Sequence, residues 1–440
     1  MKMDCPGEKL MKFLTSKHFK RHELWNGVLY IAGDCNYTPV QLAKLFSDHE
    51  IPQTRGNFAV VWQGNDNWWF AQTDHLNTYP LWYREDGSIV YSLWSQVGDI
   101  ERDDIFYAMR DLLYGQMTVG TRTPCQSITR LQPDHYLDNG TQERYTWSIE
   151  ERSGAPMSEW QNILYDCIDR NTNDGDVLFL SGGRDSTTIA NIAHHLGKKL
   201  QYVHITSGKP NPDTTACKEF ANNIGIEVNY IDAFGELQYF DEYNYWHDSS
   251  YAPKRTCLNY LGAKSGISGE LGVSESGSKK INPILQMPDI NIEQLTNIWL
   301  TTLEARNESV ASPLIHTDYT KDHRFYEFYE QAYKELIEYY ESHWKHYSES
   351  GDNNHLFKCA LMMHQQDHES YRLHNYSQDV IMQWNHPLAD YKWYDVIMNC
   401  DTKLKGVQYH KRYPYLVASR TWDWFDETAW KYGGPRGLTQ

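Results

Sequence analysis

The chain has 440 residues, a formal net charge of −17, 40% apolar residues and 14% aromatic residues. That composition excludes general disorder, and the acidic balance disfavours a broad nucleic-acid surface, which needs clustered Lys and Arg. At a usual domain size of roughly 100 to 200 residues, two domains are expected.

Residues 22–150 read mostly as short strands, over 27–32, 57–63, 68–72, 80–83 and 89–93, punctuated by the turn signals Gly64-Asn65-Asp66-Asn67 and Glu85-Asp86-Gly87. Helices are expected at 38–48 and 104–114, each with apolar residues at helical spacing and a capping residue. A layered α+β domain over 1–150 follows. From about residue 157 the pattern changes to a helix to 170, a strand at 177–180, a Gly-rich turn, a helix at 186–196 and a strand at 200–205. A further helix at 213–224 and strand at 227–231 continue the alternation, so 151–440 is expected to be an α/β domain with a doubly wound parallel sheet. The Gly/Ser-rich stretch 264–280 reads as loop, and helices at 291–306, 323–347 and 356–376 read as C-terminal additions around that sheet.

No apolar run of about 18 residues occurs, and Met1-Lys2-Met3-Asp4-Cys5-Pro6 is followed by polar residues, so a cytoplasmic location is expected. The eight cysteines form no C-x-x-C pair and read as reduced thiols. Among nineteen histidines, His194-His195 and His364/His368 lie in polar helical text without further ligands, and surface or packing roles are expected.

Chemistry concentrates in Leu178-Phe179-Leu180-Ser181-Gly182-Gly183-Arg184-Asp185-Ser186-Thr187-Thr188. A buried strand runs into two glycines that let backbone amides approach an anion, and hydroxyl residues then open a helix whose amino end favours phosphate. Asp185 suits Mg²⁺, a hard ion that takes carboxylate and phosphate oxygens. The spacing is neither G-x-x-x-x-G-K-[ST] nor G-x-G-x-x-G.

The segment Ser181-Gly182-Gly183-Arg184-Asp185-Ser186 resembles the S-G-G-x-D-S loop of the ATP pyrophosphatases, which split ATP between the α and β phosphates. More specifically the chain is similar to the asparagine synthetase family. Thr206-Ser207-Gly208, followed by Asp213, Ala216, Phe220, Ala221, Ile224 and Gly225, resembles the segment where adenine lies in that family. The resemblance implies ATP contacts at Leu180, Ser181, Gly182, Gly183, Asp185, Ser186, Thr187, Val203, Ile205 and Ser207. Gly56 to Trp62, Ala71, Asp74, Pro80-Leu81-Trp82-Tyr83 and Ser92 are similar to the glutamine amidotransferase-like domain that precedes such synthetase domains, which implies Ntn-hydrolase-like layering.

The departures bear on the substrate. Amidotransferases of this type need a cysteine first after Met removal; here position 2 is Lys, and Cys5 would serve only if residues 1–4 were trimmed. An inactive amidotransferase-like domain is therefore expected. Gly266 to Glu275 is similar to the family's S-G-E-G-x-D-E segment: Glu270 takes the place of the proton-managing glutamate, and Ser274 or Glu275 falls where a metal aspartate belongs. Asp185 and Glu275 are thus the implied metal ligands. Asn385-His386-Pro387-Leu388-Ala389-Asp390 resembles the R-x-P-F-L-D region, with Asn385 where arginine is usual. Lys411 takes the place of the lysine that stabilises charge on pyrophosphate, with Lys403 and Lys405 as rivals.

The resemblance implies an ATP- and Mg²⁺-dependent carbon–nitrogen ligase acting on an aspartate-like carboxylate with ammonia or a substrate amine. Neither membrane nor nucleic acid is expected as a partner, and a homodimer is compatible. Alternatives are a specialised amide or lactam former of the β-lactam synthetase or lasso-peptide cyclase type, a nucleobase- or tRNA-modifying pyrophosphatase, and a pseudoenzyme.

Overall fold

The computed structural model describes residues 11–98, 101–112, 120–133, 135–144, 159–206, 212–232, 251–269, 326–348 and 383–393. They divide into two units, the first holding 11–144 and 326–348, the second holding 159–269 and 383–393. Helix and strand are mixed, and one sheet is wholly parallel.

The first unit contains β1 (Lys12–Leu14), β2 (Lys20–Leu24), β3 (Gly27–Cys35), β4 (Gly56–Gly64) and β5 (Trp69–Thr73). It continues with β6 (Trp82–Arg84), β7 (Ile89–Tyr91), β8 (Ile128–Arg130), β9 (His135–Asp138) and β10 (Thr141–Arg144). The larger sheet is antiparallel in the order β10-β9-β5-β4-β3-β2, and the smaller runs β1-β7-β6-β8 with β1 parallel to β7. The two-residue period of β4 explains the layering. Phe58, Val60 and Trp62 face helix α1 (Pro39–Ser47), where Leu42, Ala43 and Phe46 are buried, while Ala59 and Val61 face Phe13, Tyr83 and Val90 of the smaller sheet. Both faces of the strand are therefore apolar. Helix α1 starts where sequence places it, because the Thr38 hydroxyl accepts from Gln41 N and the Gln41 side chain accepts from Thr38 N, a capping box followed by Pro39.

Asp74 organises the turn after β5. Its buried carboxylate accepts from the N–H groups of Leu76 (2.8 Å), Phe58 (3.0 Å) and Thr78 (3.1 Å) and from the Thr78 hydroxyl. Burial pushes this carboxyl up to about 6, against the opposing pull of those donors.

Helix α2 (Asp104–Leu112) is capped by Asp103, whose carboxylate accepts from Ile105 N (3.0 Å) and Phe106 N (3.2 Å). The 23-residue helix Tyr326–Ser348 packs on α2. Arg122 joins the two, with Nη1 donating to Asp103 (2.7 Å) and Nη2 and Nε donating to the Glu335 carboxylate. The helix expected over 323–347 thus forms, but within the first unit instead of around the parallel sheet. The expected helices at 291–306 and 356–376 lie outside the described residues.

The second unit holds β11 (Val177–Phe179), β12 (Gln201–Thr206), β13 (Val228–Asp232), β14 (Ser265–Ile267) and β15 (Gln383–Asn385). Its helices are α3 (Trp160–Arg170), α4 (Arg184–His195), α5 (Pro212–Ile224) and α6 (Tyr251–Leu261). The parallel strands lie in the order β13-β12-β11-β14-β15, so successive strands move one way from β11 and then resume on its other side. Helices cover both faces. Cys257 and Leu258 of α6 bury Val177, Phe179 and Val203, while α5 contacts His204 and Tyr230 on the opposite face.

The expectation of loop throughout 264–280 is corrected by β14, which pairs with β11 and β15. A strand forms in this Gly/Ser-rich text because Gly266 leaves room for the Trp384 ring, which crosses over it to stack on Phe179 at 6.0 Å; a Cβ there would meet that ring at 2.7 Å. Among the described residues no helix is long and apolar enough to cross a membrane, and the cysteines at 35, 125, 167, 217 and 257 are free thiols.

Candidate functional site

The crevice between β11 and β14 is where the strand order reverses, and open parallel sheets bind ligands at the carboxyl ends of strands at such a point. Two segments meet there: the turn 180–183 leaving β11, and Ser268-Gly269 leaving β14. A Cβ on Gly269 would lie 3.3 Å from Asp185 Cβ and 3.4 Å from Ser186 N, so the second segment runs against the first turn of α4.

The turn is built by its own side chains. Ser186 Oγ accepts from Ser181 N (3.1 Å) and lies 3.0 Å from Ser181 Oγ, while Ser181 Oγ accepts from Gly183 N (3.2 Å). Ser186 Oγ (3.3 Å) and Thr187 Oγ1 (2.8 Å) both donate to the Gly183 carbonyl. Gly182 has φ +79°, and a Cβ there would meet the Asp213 carbonyl at 2.5 Å and Cys217 N at 3.0 Å, so only glycine fits between the turn and α5.

Gly183 is the N-cap of α4 and, being glycine, brings no side chain of its own to cap it. The first-turn N–H groups of a helix have no partners within the helix, and the aligned peptide dipoles favour negative charge there. With Ser181 an exposed residue beside it, this terminus fits an anion with several oxygens. Asp185 lies in the same first turn, where its carboxylate would repel such an anion unless a cation stood between them. Ser186 and Thr187 are buried beneath the turn and shape it.

Leu180, Ser181, Gly182, Gly183, Asp185, Ser186 and Thr187 therefore come together. Leu180 is buried, and its N–H donates to the Val203 carbonyl (2.8 Å). Val203 sits in the core beneath the turn, and Ile205 lies near the end of β12, half-buried. Ser207, Glu270, Glu275 and Lys411, with Ser274, Lys403, Lys405 and Cys5, lie outside the described residues. Asn385 is placed: its side-chain amide donates to Asp176 (3.1 Å), and its carbonyl accepts from Ser268 N (3.0 Å).

Sequence reasoning missed His204, a buried imidazole on β12 with Nδ1 2.7 Å from the Leu180 carbonyl and Nε2 2.9 Å from Thr214 Oγ1. The signal for it was a polar residue at an inward position of the apolar run Tyr202-Val203-His204-Ile205. Cys217, under Gly182, is no candidate nucleophile, since burial pushes its thiol up to about 11 despite the Tyr230 hydroxyl contact. His194 and His195 are exposed in the last turn of α4, and among the described residues no cluster of three or more His, Cys, Asp or Glu is placed to hold a metal.

Compared with models of known families, residues 159–264 match the asparagine synthase family, one of ATP-using, amide-forming ligases. No curated protein matches the chain.

Proposed function

We propose, from the match of residues 159–264 to the asparagine synthase family, that the chain adenylates a carboxylate and converts it to an amide. The carboxylate oxygen attacks the α-phosphorus of ATP and pyrophosphate leaves. An amine nitrogen then attacks the acyl carbon, AMP leaves, and the amine gives up a proton. Aspartate going to asparagine is the leading case.

The observation that supports this reading is the amino terminus of α4, with glycine as its N-cap, at the reversal of strand order. A pyrophosphate there would be met by first-turn N–H groups and the Ser181 hydroxyl, with Ser186 and Thr187 holding the turn in shape. Asp185 suits one ligand position of Mg²⁺, whose other positions take phosphate and water oxygens; when bound, the ion offsets the charge of the leaving pyrophosphate. Glu275 is proposed as a second carboxylate ligand, Glu270 as the group that takes the amine proton, and Lys411 as a cation for pyrophosphate. Leu180, Val203, Ile205 and Ser207 are proposed to line the nucleoside side.

The first unit is proposed as an amidotransferase-like scaffold without glutaminase activity, because Lys occupies position 2 where such enzymes need their nucleophilic cysteine. The amine would then arrive as ammonia or as part of the substrate, as in lactam-forming relatives of the family.

The test is pyrophosphate release from ATP and Mg²⁺ with aspartate plus ammonium, then with glutamine, for wild type and Asp185→Ala. Release that needs aspartate, yields asparagine and disappears in the variant supports the leading case. Release with glutamine alone would overturn the inactive scaffold, and no release with any of them would overturn the aspartate assignment.

A further inference from the structure

We infer that His204 is a positioning residue that fixes the phosphate-binding turn to the helix on its nucleoside side; the inference rests on the function proposed above for that turn. The Leu180–Ser181 peptide lies just past the end of β11, where no ladder partner sets its plane. It is held from both edges instead. Its carbonyl lies 2.7 Å from His204 Nδ1, and its N–H donates to Ser186 Oγ at 3.1 Å. Rotation of this one peptide would swing Ser181 Oγ away from Gly183 N and misdirect the groups aimed at the anion.

The partners determine the tautomer. A carbonyl only accepts, so Nδ1 carries the proton and donates to Leu180; in the neutral ring Nε2 then accepts from the Thr214 hydroxyl at 2.9 Å. Thr214 lies in the first turn of α5, the same turn whose Asp213 carbonyl meets Gly182. One ring thus ties the exit of β11, the body of β12 and the start of α5. Because the ring is buried, water cannot replace either bond when the side chain is removed. Its effect on the phosphate half should therefore exceed its effect on nucleoside affinity.

The experiment measures binding of Mg²⁺-pyrophosphate and, separately, of AMP by calorimetry on the full chain, with melting temperature as a check on folding. His204→Leu is expected to weaken pyrophosphate about tenfold and AMP by less. His204→Asn places an amide donor near the Nδ1 position and is expected to recover most of that loss. Thr214→Val, which removes only the Nε2 bond, is expected to weaken pyrophosphate by about threefold. Should His204→Leu not fold, Thr214→Val carries the same test. Wild-type pyrophosphate affinity in folded His204→Leu or Thr214→Val, or equal losses for pyrophosphate and AMP, would overturn the inference. If the wild type binds neither ligand, the proposed function fails first, and the ¹⁵N spectrum of the ring then decides the inference: a proton on Nδ1 with Nε2 bare sustains the clamp, and any proton on Nε2 overturns it.

Discussion

The two units use their buried polar groups in opposite ways. In the first, the buried Asp74 has its carboxylate occupied by three backbone N–H groups and a hydroxyl, so its acceptor capacity goes into holding a turn. In the second, the buried Ser186 and Thr187 bond Ser181 and the Gly183 carbonyl, but they do so around a helix terminus whose N-cap is a glycine. The contrast comes from topology. An antiparallel layer buried on both faces closes its polar groups off, whereas a parallel sheet collects loops and helix amino ends along one edge, where they remain available to a ligand.

Substitutions at four positions sharpen or break this contrast. The largest effect is expected from Asp185→Ala, with pyrophosphate-releasing activity falling by about 100- to 1000-fold while the melting temperature stays near wild type. A variant that melts early instead would make Asp185 a structural residue like Asp74.

Asp74→Ala should do the reverse, costing the first unit about 3 kcal/mol in urea unfolding by leaving several buried N–H groups without an acceptor, while pyrophosphate affinity is unchanged. The same residue has a pH signature. Its folded-state pKa of about 6 lies above the ordinary 3.8, so the folded state holds the proton more tightly than the unfolded chain. The stability it contributes is complete below about pH 4 and is lost as pH rises through about 6, a change of about 2 to 3 kcal/mol. Comparing wild type with Asp74→Asn over that range isolates it, and parallel pH curves would rule it out.

Arg122→Ala leaves Asp103 and Glu335 without their shared cation and should lower stability by about 2 kcal/mol, less than for a fully buried pair because Arg122 is partly exposed. Proteolysis should then cut within 326–348 earlier than in wild type. Thr38→Ala removes one capping box on a surface helix and should cost about 1 kcal/mol, read as a small drop in melting temperature with the α4 terminus untouched.

What the sequence disclosed follows from how local each signal is. The strands at 27–35, 56–64 and 69–73 and helices α1, α4 and α5 carry their own periodicity, caps and turn residues, and they form within a few residues of where the text places them. Strand β2, with sequence Lys-Arg-His-Glu-Leu, shows no apolar alternation; it is an edge strand held by pairing to β3, which local text does not record. Strand β14 was obscured because its central glycine serves Trp384, a residue far along the chain. Helix α6 has Pro253 in its first turn, which reads as a break but is tolerated where the missing N–H has no helical partner. At the site, the Ser-Gly-Gly turn was legible because every residue in it is sequential. The role of His204 was not, since it appears only when α5 brings Thr214 across the sheet.

The contact between Arg122 and Glu335 spans 213 positions of the chain. On a ribosome working at roughly 5 to 20 residues per second, the arginine would therefore emerge roughly 10 to 40 s before its carboxylate partner exists. During that interval the face of α2 that receives the long helix stays uncovered while the stretch 159–269 is being made. The nascent chain thus carries an exposed docking face through much of its synthesis, and the amino-terminal half becomes complete only after most of the protein has been translated.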